Sequence, residues 1–217
     1  MKLDGKKFGL LCILVVLNGC AAAMALKAAM GIAAYDAWAQ TLAEITGLKV
    51  GTWGIIMNCL CVGGEFILLK KKFGLLQLLQ IPVCLLLGSV VNFVLYDVLT
   101  FSLDTYFSQI VLFVAAYVMM GFIIGAIMAL DVITFPLEGF CKLFAAKRGL
   151  DFAKVRQGVD VLFIVLSVVL ALVASVPMVV REGTLIAMLM FAPIMNFSMK
   201  LCRSHLENRS KLALQKA

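Results

Sequence analysis

Six apolar runs of roughly 20 residues alternate with short polar connections, at about 8–30, 51–69, 73–97, 108–130, 158–180 and 183–201. Crossing a hydrocarbon core takes about 20 residues of helix, so each run is read as a spanning helix. Two intervening segments break this pattern. In AAYDAWAQTLAEITGLKVGTW, residues 33–53, Tyr35, Trp38, Leu42 and Ile45 recur at helical spacing on one face. The segment is too short and too polar to span, and it predicts a short amphipathic helix over 34–46. A second such helix is expected over 136–147, within ITFPLEGFCKLFAAKRGLDF, residues 133–152.

The two short segments run in parallel when one is shifted by 102 positions. Gly47-Leu48 then falls on Gly149-Leu150, Asp36 on Glu138, Trp38 on Phe140, Leu42 on Phe144 and Val50 on Phe152. Each is followed by a span, a tight connection (KKKFG at 70–74, REG at 181–183) and a last span containing Asn-Phe, at Asn92-Phe93 and Asn196-Phe197. Three spans per copy force the second copy to enter from the opposite side. The expected fold is therefore an all-α membrane domain over 1–217. It comprises two inverted three-helix repeats, 8–97 and 108–201, each with a short amphipathic helix, and a tail at 202–217. Inverted repeats are common in secondary transporters, with the site near the midplane where the halves meet. Pro82 and Pro193 lie near mid-depth of the third span of each half, where a proline removes a backbone hydrogen bond and kinks the helix.

Composition agrees with a membrane protein: 64% of residues are hydrophobic and 14% charged, against roughly 25% charged in soluble domains. The net charge of +7 would suit a nucleic-acid surface, but its distribution argues against one. With the N-terminus placed inside, 16 of the 19 Lys and Arg residues fall on the inner side, leaving Lys27, Lys49 and Arg181 outside. The positive-inside rule then puts both termini in the cytoplasm. Leu17-Asn18-Gly19-Cys20 resembles a lipoprotein cleavage site, but AAAMAL continues the apolar run to full spanning length, so an uncleaved first span is expected. The seven cysteines show no CxxC spacing, which supports neither a disulfide framework nor a zinc site.

Candidate chemistry is sparse. The single histidine, His205, lies in the charged tail, and no metalloprotease or phosphate-loop motif occurs. No catalytic residue, metal or cofactor is expected, and Gly121 and Gly125 are read as a helix-packing pair. Glu65 is read as snorkelling toward Lys70–Lys72, and Asp97, Asp131 and Asp160 as interfacial. Asp36 and Glu138 occupy equivalent helix starts, where an acid either stabilises the helix end or serves a gate; with Trp38 and Phe140 they are the gate candidates. The substrate-binding candidates are Gln80, Pro82, Asn92, Pro193 and Asn196.

The run ALKAAMGIAAYDAWAQTLAEITGLKVGTWGII and the later EGTLIAMLMFAPIMNF resemble the YczE/YyaS/YitT-type bacterial membrane proteins over roughly residues 10–200. Ala34-Tyr35 stand where that family usually has proline and tryptophan before the acid. The resemblance implies a bacterial inner-membrane protein and brings no catalytic residues. The function expected is a small-molecule transporter, an exporter or uniporter, alternating a site between inverted halves. A neutral or weakly polar substrate is expected, since buried charges are few. The alternative is a substrate-binding membrane subunit of a larger transport complex, docking a partner helix on Ala22, Ala25 and Ala29. A homo-oligomer is also open; beyond these, lipid is the expected partner.

Overall fold

The first helix, α1 (Gly5–Ala28), packs against α6 (Tyr106–Leu130), and this pair forms the centre of the molecule. The computed structural model describes residues 5–215, with side chains described through His205 apart from Met188. Their complementarity is one of size. Where α1 supplies Ala21, Ala25 and Ala28, α6 supplies Phe113 and Tyr117, all buried. Toward the other end Leu11 and Val15 meet Ile123, Ile127 and Leu130. Apolar side chains gain by leaving lipid only what closer packing gives, so such small-to-large fitting holds spanning helices together.

Around this pair lie α2 (Ala34–Thr46), α3 (Val50–Leu69), a short lysine turn (Lys70–Lys72), α4 (Leu75–Leu78) and α5 (Gln80–Phe93), which ends in a wide π turn through Val98. The second half adds α7 (Pro136–Arg148), α8 (Phe152–Ala174) and α9 (Glu182–Gln215). Six of these segments are long and apolar enough to cross a membrane.

The 102-residue register reaches the backbone. Helices α2 and α7 are both 13 residues long and begin 102 positions apart, as do α3 and α8. Ala29 and Asp131 both adopt left-handed φ, at 53° and 49°. Gly47 and Gly149 close the two short helices with φ of 74° and 64°, a helix-ending conformation that glycine adopts without a Cβ penalty.

Several expectations change. The fifth span is Phe152–Ala174 rather than 158–180, because Arg156 and Asp160 pair one turn apart and so extend the helix instead of ending it. Asp160 is accordingly inside α8 and not at its edge. The third span does break, at Leu79, but Pro82 then falls in the first turn of α5, where its missing N–H costs little. Helix α9 stays continuous through Pro193 and on to Gln215, so the expected tail extends the last helix. The paired glycines of α6 do pack closely. An added Cβ at Gly121 would strike Ile194, and one at Gly125 would strike Met195 and Ser198 on α9.

Candidate functional site

The short helices start inside the bundle, not along its ends. The Ala33 backbone N–H, at the start of α2, donates to the Tyr117 hydroxyl at 3.0 Å, and Tyr117 stands near the middle of α6. The Tyr35 hydroxyl donates to the Gly54 carbonyl at 3.0 Å. Trp38 lies nearly parallel to Phe163 of α8, with ring centres 6.4 Å apart, and Tyr35 meets the same ring edge-on at 6.0 Å. The start of α7 enters from the second half: Phe140 lies against Gly64 of α3 and stacks on Phe144. Helix α2 therefore packs on α8, and α7 packs on α3.

Both helix starts come under the influence of one guanidinium. Arg156 of α8 lies 3.6 Å from the Glu138 carboxylate and also pairs with Asp160. Its charge is felt by Asp36 as well. Burial drives the Asp36 pKa up to about 6, and Arg156 opposes the rise only partly. Glu138 is likewise raised by burial, with Arg156 and the backbone opposing. The Tyr35 phenol between them is held far above its usual range, first by burial and then by Asp36. Among the described residues, Asp36 makes no hydrogen bond and no ion pair, yet it keeps partial solvent exposure. A recessed, open carboxyl with a pKa near neutrality can exchange protons or meet a ligand.

Of the gate candidates, Glu138 pairs with Arg156 and Asp36 feels the same charge without pairing, while Trp38 and Phe140 pack reciprocally against the opposite half. The substrate-binding candidates are not gathered there. Asn92 is in the seam between α3 and α5, accepting from Gly51 N–H at 2.8 Å and donating to the Thr52 hydroxyl at 3.0 Å. Gln80, buried, donates to Glu65 from the same helix, about 18 Å away at 1.5 Å per residue. Pro82, Pro193 and Asn196 are exposed on the outer surface of α5 and α9.

Sequence reasoning missed Arg156 and Glu65. Arg156 was grouped with the basic inner loop, although Asp160 four residues on offered an i,i+4 partner within one helix. Glu65 does not snorkel: it is 1% exposed and bonded to Gln80. No local signal could show that, because its partner comes from another helix. Of the two, only Glu65 is buried; Arg156 keeps part of its surface exposed.

The model of a family of unknown function, DUF6198, matches residues 5–200. The chain is also 27% identical over 132 residues to the uncharacterized membrane protein YczE of Bacillus subtilis (strain 168). That alignment covers 61% of this chain and 59% of the relative, so the chain spans about three-fifths of that protein's length. No solved structure matches the chain.

Proposed function

The chain belongs to the DUF6198 family, and we propose that it is a small-molecule transporter of the bacterial inner membrane, with both termini cytoplasmic. The halves are inverted repeats, and the site lies at the starts of α2 and α7. The observation that carries this reading is the ion pair of Glu138 with Arg156 on α8, the helix that also packs against α2, whose Asp36 is the equivalent residue of the first half. A helix start presents unpaired N–H groups and a partial positive charge, and discontinuous helices pointing into a membrane bundle are how many transporters hold polar ligands. The reciprocal packing of α2 on α8 and α7 on α3 supports inversion, since a two-fold axis exchanges those two contacts.

The two carboxyls paired with Arg156 support extending the substrate class from neutral or weakly polar molecules to polar ones. The partner-subunit alternative keeps only Ala29 of its docking face exposed. Ala25 is buried in the core formed with α6, and Ala22 packs on the same core.

Purified protein in liposomes should carry solute flux unaided, with candidates chosen by a thermal-shift screen, since a ligand binding the native state raises its melting temperature. Flux absent for every stabilising ligand would remove the transporter reading. Single cysteines at position 104 should be labelled from outside the cell and at position 148 only from inside; labelling of both from one side would remove the inverted topology.

A further inference from the structure

A second carboxyl in the molecule has no role in the site just described. Glu65, four turns along α3, is 1% exposed. Among the described residues it forms no ion pair. Its hydrogen-bond partner is a single group, the Gln80 Nε2 of α5, which reaches both carboxyl oxygens at 3.3 and 3.4 Å. One long, shared donor compensates an ionised carboxylate poorly when water is excluded. The amide shows the matching deficiency: Gln80 is 5% exposed, and its Oε1 is buried without a hydrogen-bond donor among the described residues. Buried polar atoms are almost always satisfied. One added proton satisfies both groups. If Glu65 carries it, its O–H donates to Gln80 Oε1 while Gln80 Nε2 donates back to the other carboxyl oxygen, closing an acid–amide ring.

The third wall is the backbone of α7. Gly139 lies so close to Glu65 that an added Cβ would collide with the carboxyl oxygen. Gly139 directly follows Glu138, the partner of Arg156. While α7 is seated, its backbone covers Glu65 on that side; once α7 withdraws, the carboxyl can shed its proton to water. A narrow crevice lined by Gln80, Val83, Ile133, Thr134 and Pro136 reaches the amide along the chain leading into α7. The titratable and charged groups around the carboxyl are Cys61 and the Lys70–Lys72 turn on its own segment, Cys84 on α5, Glu138 and Cys141 on α7, and Arg156 on α8. Arg156 is engaged by Glu138 and Asp160, which leaves the proton as the charge that balances Glu65.

We propose that Glu65 is a proton-binding site, completed by Gln80 and covered by Gly139, whose occupancy is tied to the seating of α7. Its use as a coupling site rests on the transporter reading; the protonation and its link to α7 do not. In that use, a proton taken from water on the open side binds the carboxylate as α7 seats, and is returned to water on release.

The test uses the full chain in nanodiscs. Infrared difference spectra over a pH titration should show the carbonyl stretch of a neutral carboxyl that Glu65→Gln removes and Gln80→Leu shifts in frequency. With Cys141 as the sole cysteine, its maleimide labelling should rise with pH in the parent, because Cys141 is fully buried on seated α7. In Glu65→Gln, which mimics the protonated form, labelling should stay low and independent of pH. A band that never titrates, no band assignable to Glu65, or labelling that follows pH equally in both proteins would each overturn the proposal. Loss of the band on adding sodium chloride at fixed pH would overturn it in favour of a metal cation. Failure of liposome flux with this titration intact would remove only the transporter reading.

Discussion

The two halves share a register but join their spans differently. In the first half, α3 and α5 are locked together. Gly51 and Gly88 bring their backbones to direct contact, Asn92 bridges to Gly51 and Thr52, and the Tyr96 hydroxyl accepts from Val50 N–H at 3.2 Å. In the second half, α9 leaves its sequence neighbour and packs on α6, where the Ser198 hydroxyl donates to the Phe122 carbonyl at 2.7 Å. Helix α8 is held by the two short helices and otherwise presents Val161, Leu162, Val165, Val169, Leu172 and Val173 outward. Glycines placed face to face make a rigid seam, whereas α8 is tied in through rings and one charged cluster. The element bearing Arg156 is thus tied to the rest of the molecule mainly through the two short helices.

The sharpest way to break this comparison is at the glycine seam. Gly88→Leu has no space against Gly51 and Ile55, and should destabilise by about 3 kcal/mol or more, or prevent accumulation of folded protein, since overpacking costs typically 1–3 kcal/mol even where side chains can adjust. Melting in detergent checks this; a wild-type melting temperature would show that α3 and α5 are not locked.

Arg156→Leu should cost less, about 1–3 kcal/mol, between the ranges for exposed and fully buried ion pairs. It leaves Glu138 and Asp160 facing each other without a cation. Glu138→Gln in the same background should recover part of the loss, a coupling that a double-mutant cycle measures.

Asp36 gives a pH signature. Its pKa is about 6 in the fold against 3.8 for the free side chain, so the folded state binds more protons between these values. Stability contributed by this group is therefore present below about pH 4, declines as pH rises to about 6, and stays lost above. Asp36→Asn should remove that decline and leave the protein at least as heat-stable as wild type at pH 7. A steeper decline in the variant would contradict the burial of Asp36.

The smallest effect belongs to the outward face of α8. Val173→Leu, at 77% exposure, should change stability by less than about 0.5 kcal/mol, as surface substitutions generally do. A large loss would show that this face is covered.

Much of the fold was legible because apolar length and period are local properties. The spans, both short helices and the 102-residue register follow from residues such as Gly47 and Gly149, whose helix-ending role depends only on neighbours in the chain. Less of the site was legible. Asp36 and Glu138 stood out by their equivalent positions, but the charge they share did not, because Arg156 reads in sequence as one more basic residue near a helix start.

From its own pattern, then, the chain determined that it is a membrane protein, that six of its helices are long and apolar enough to cross, and where its two short helices lie, since burial in lipid rewards long apolar runs whatever surrounds them. Tertiary structure decided which polar groups inside the bundle meet. Whether Glu65 reaches solvent or lies sealed beneath Gly139, and whether Asn92 lines a cavity or pins α3 to α5, depends on which helix face each neighbour presents. Contacts between helices far apart in sequence are governed by side-chain shape and by the need to satisfy every buried polar group, and neither is written in any single segment.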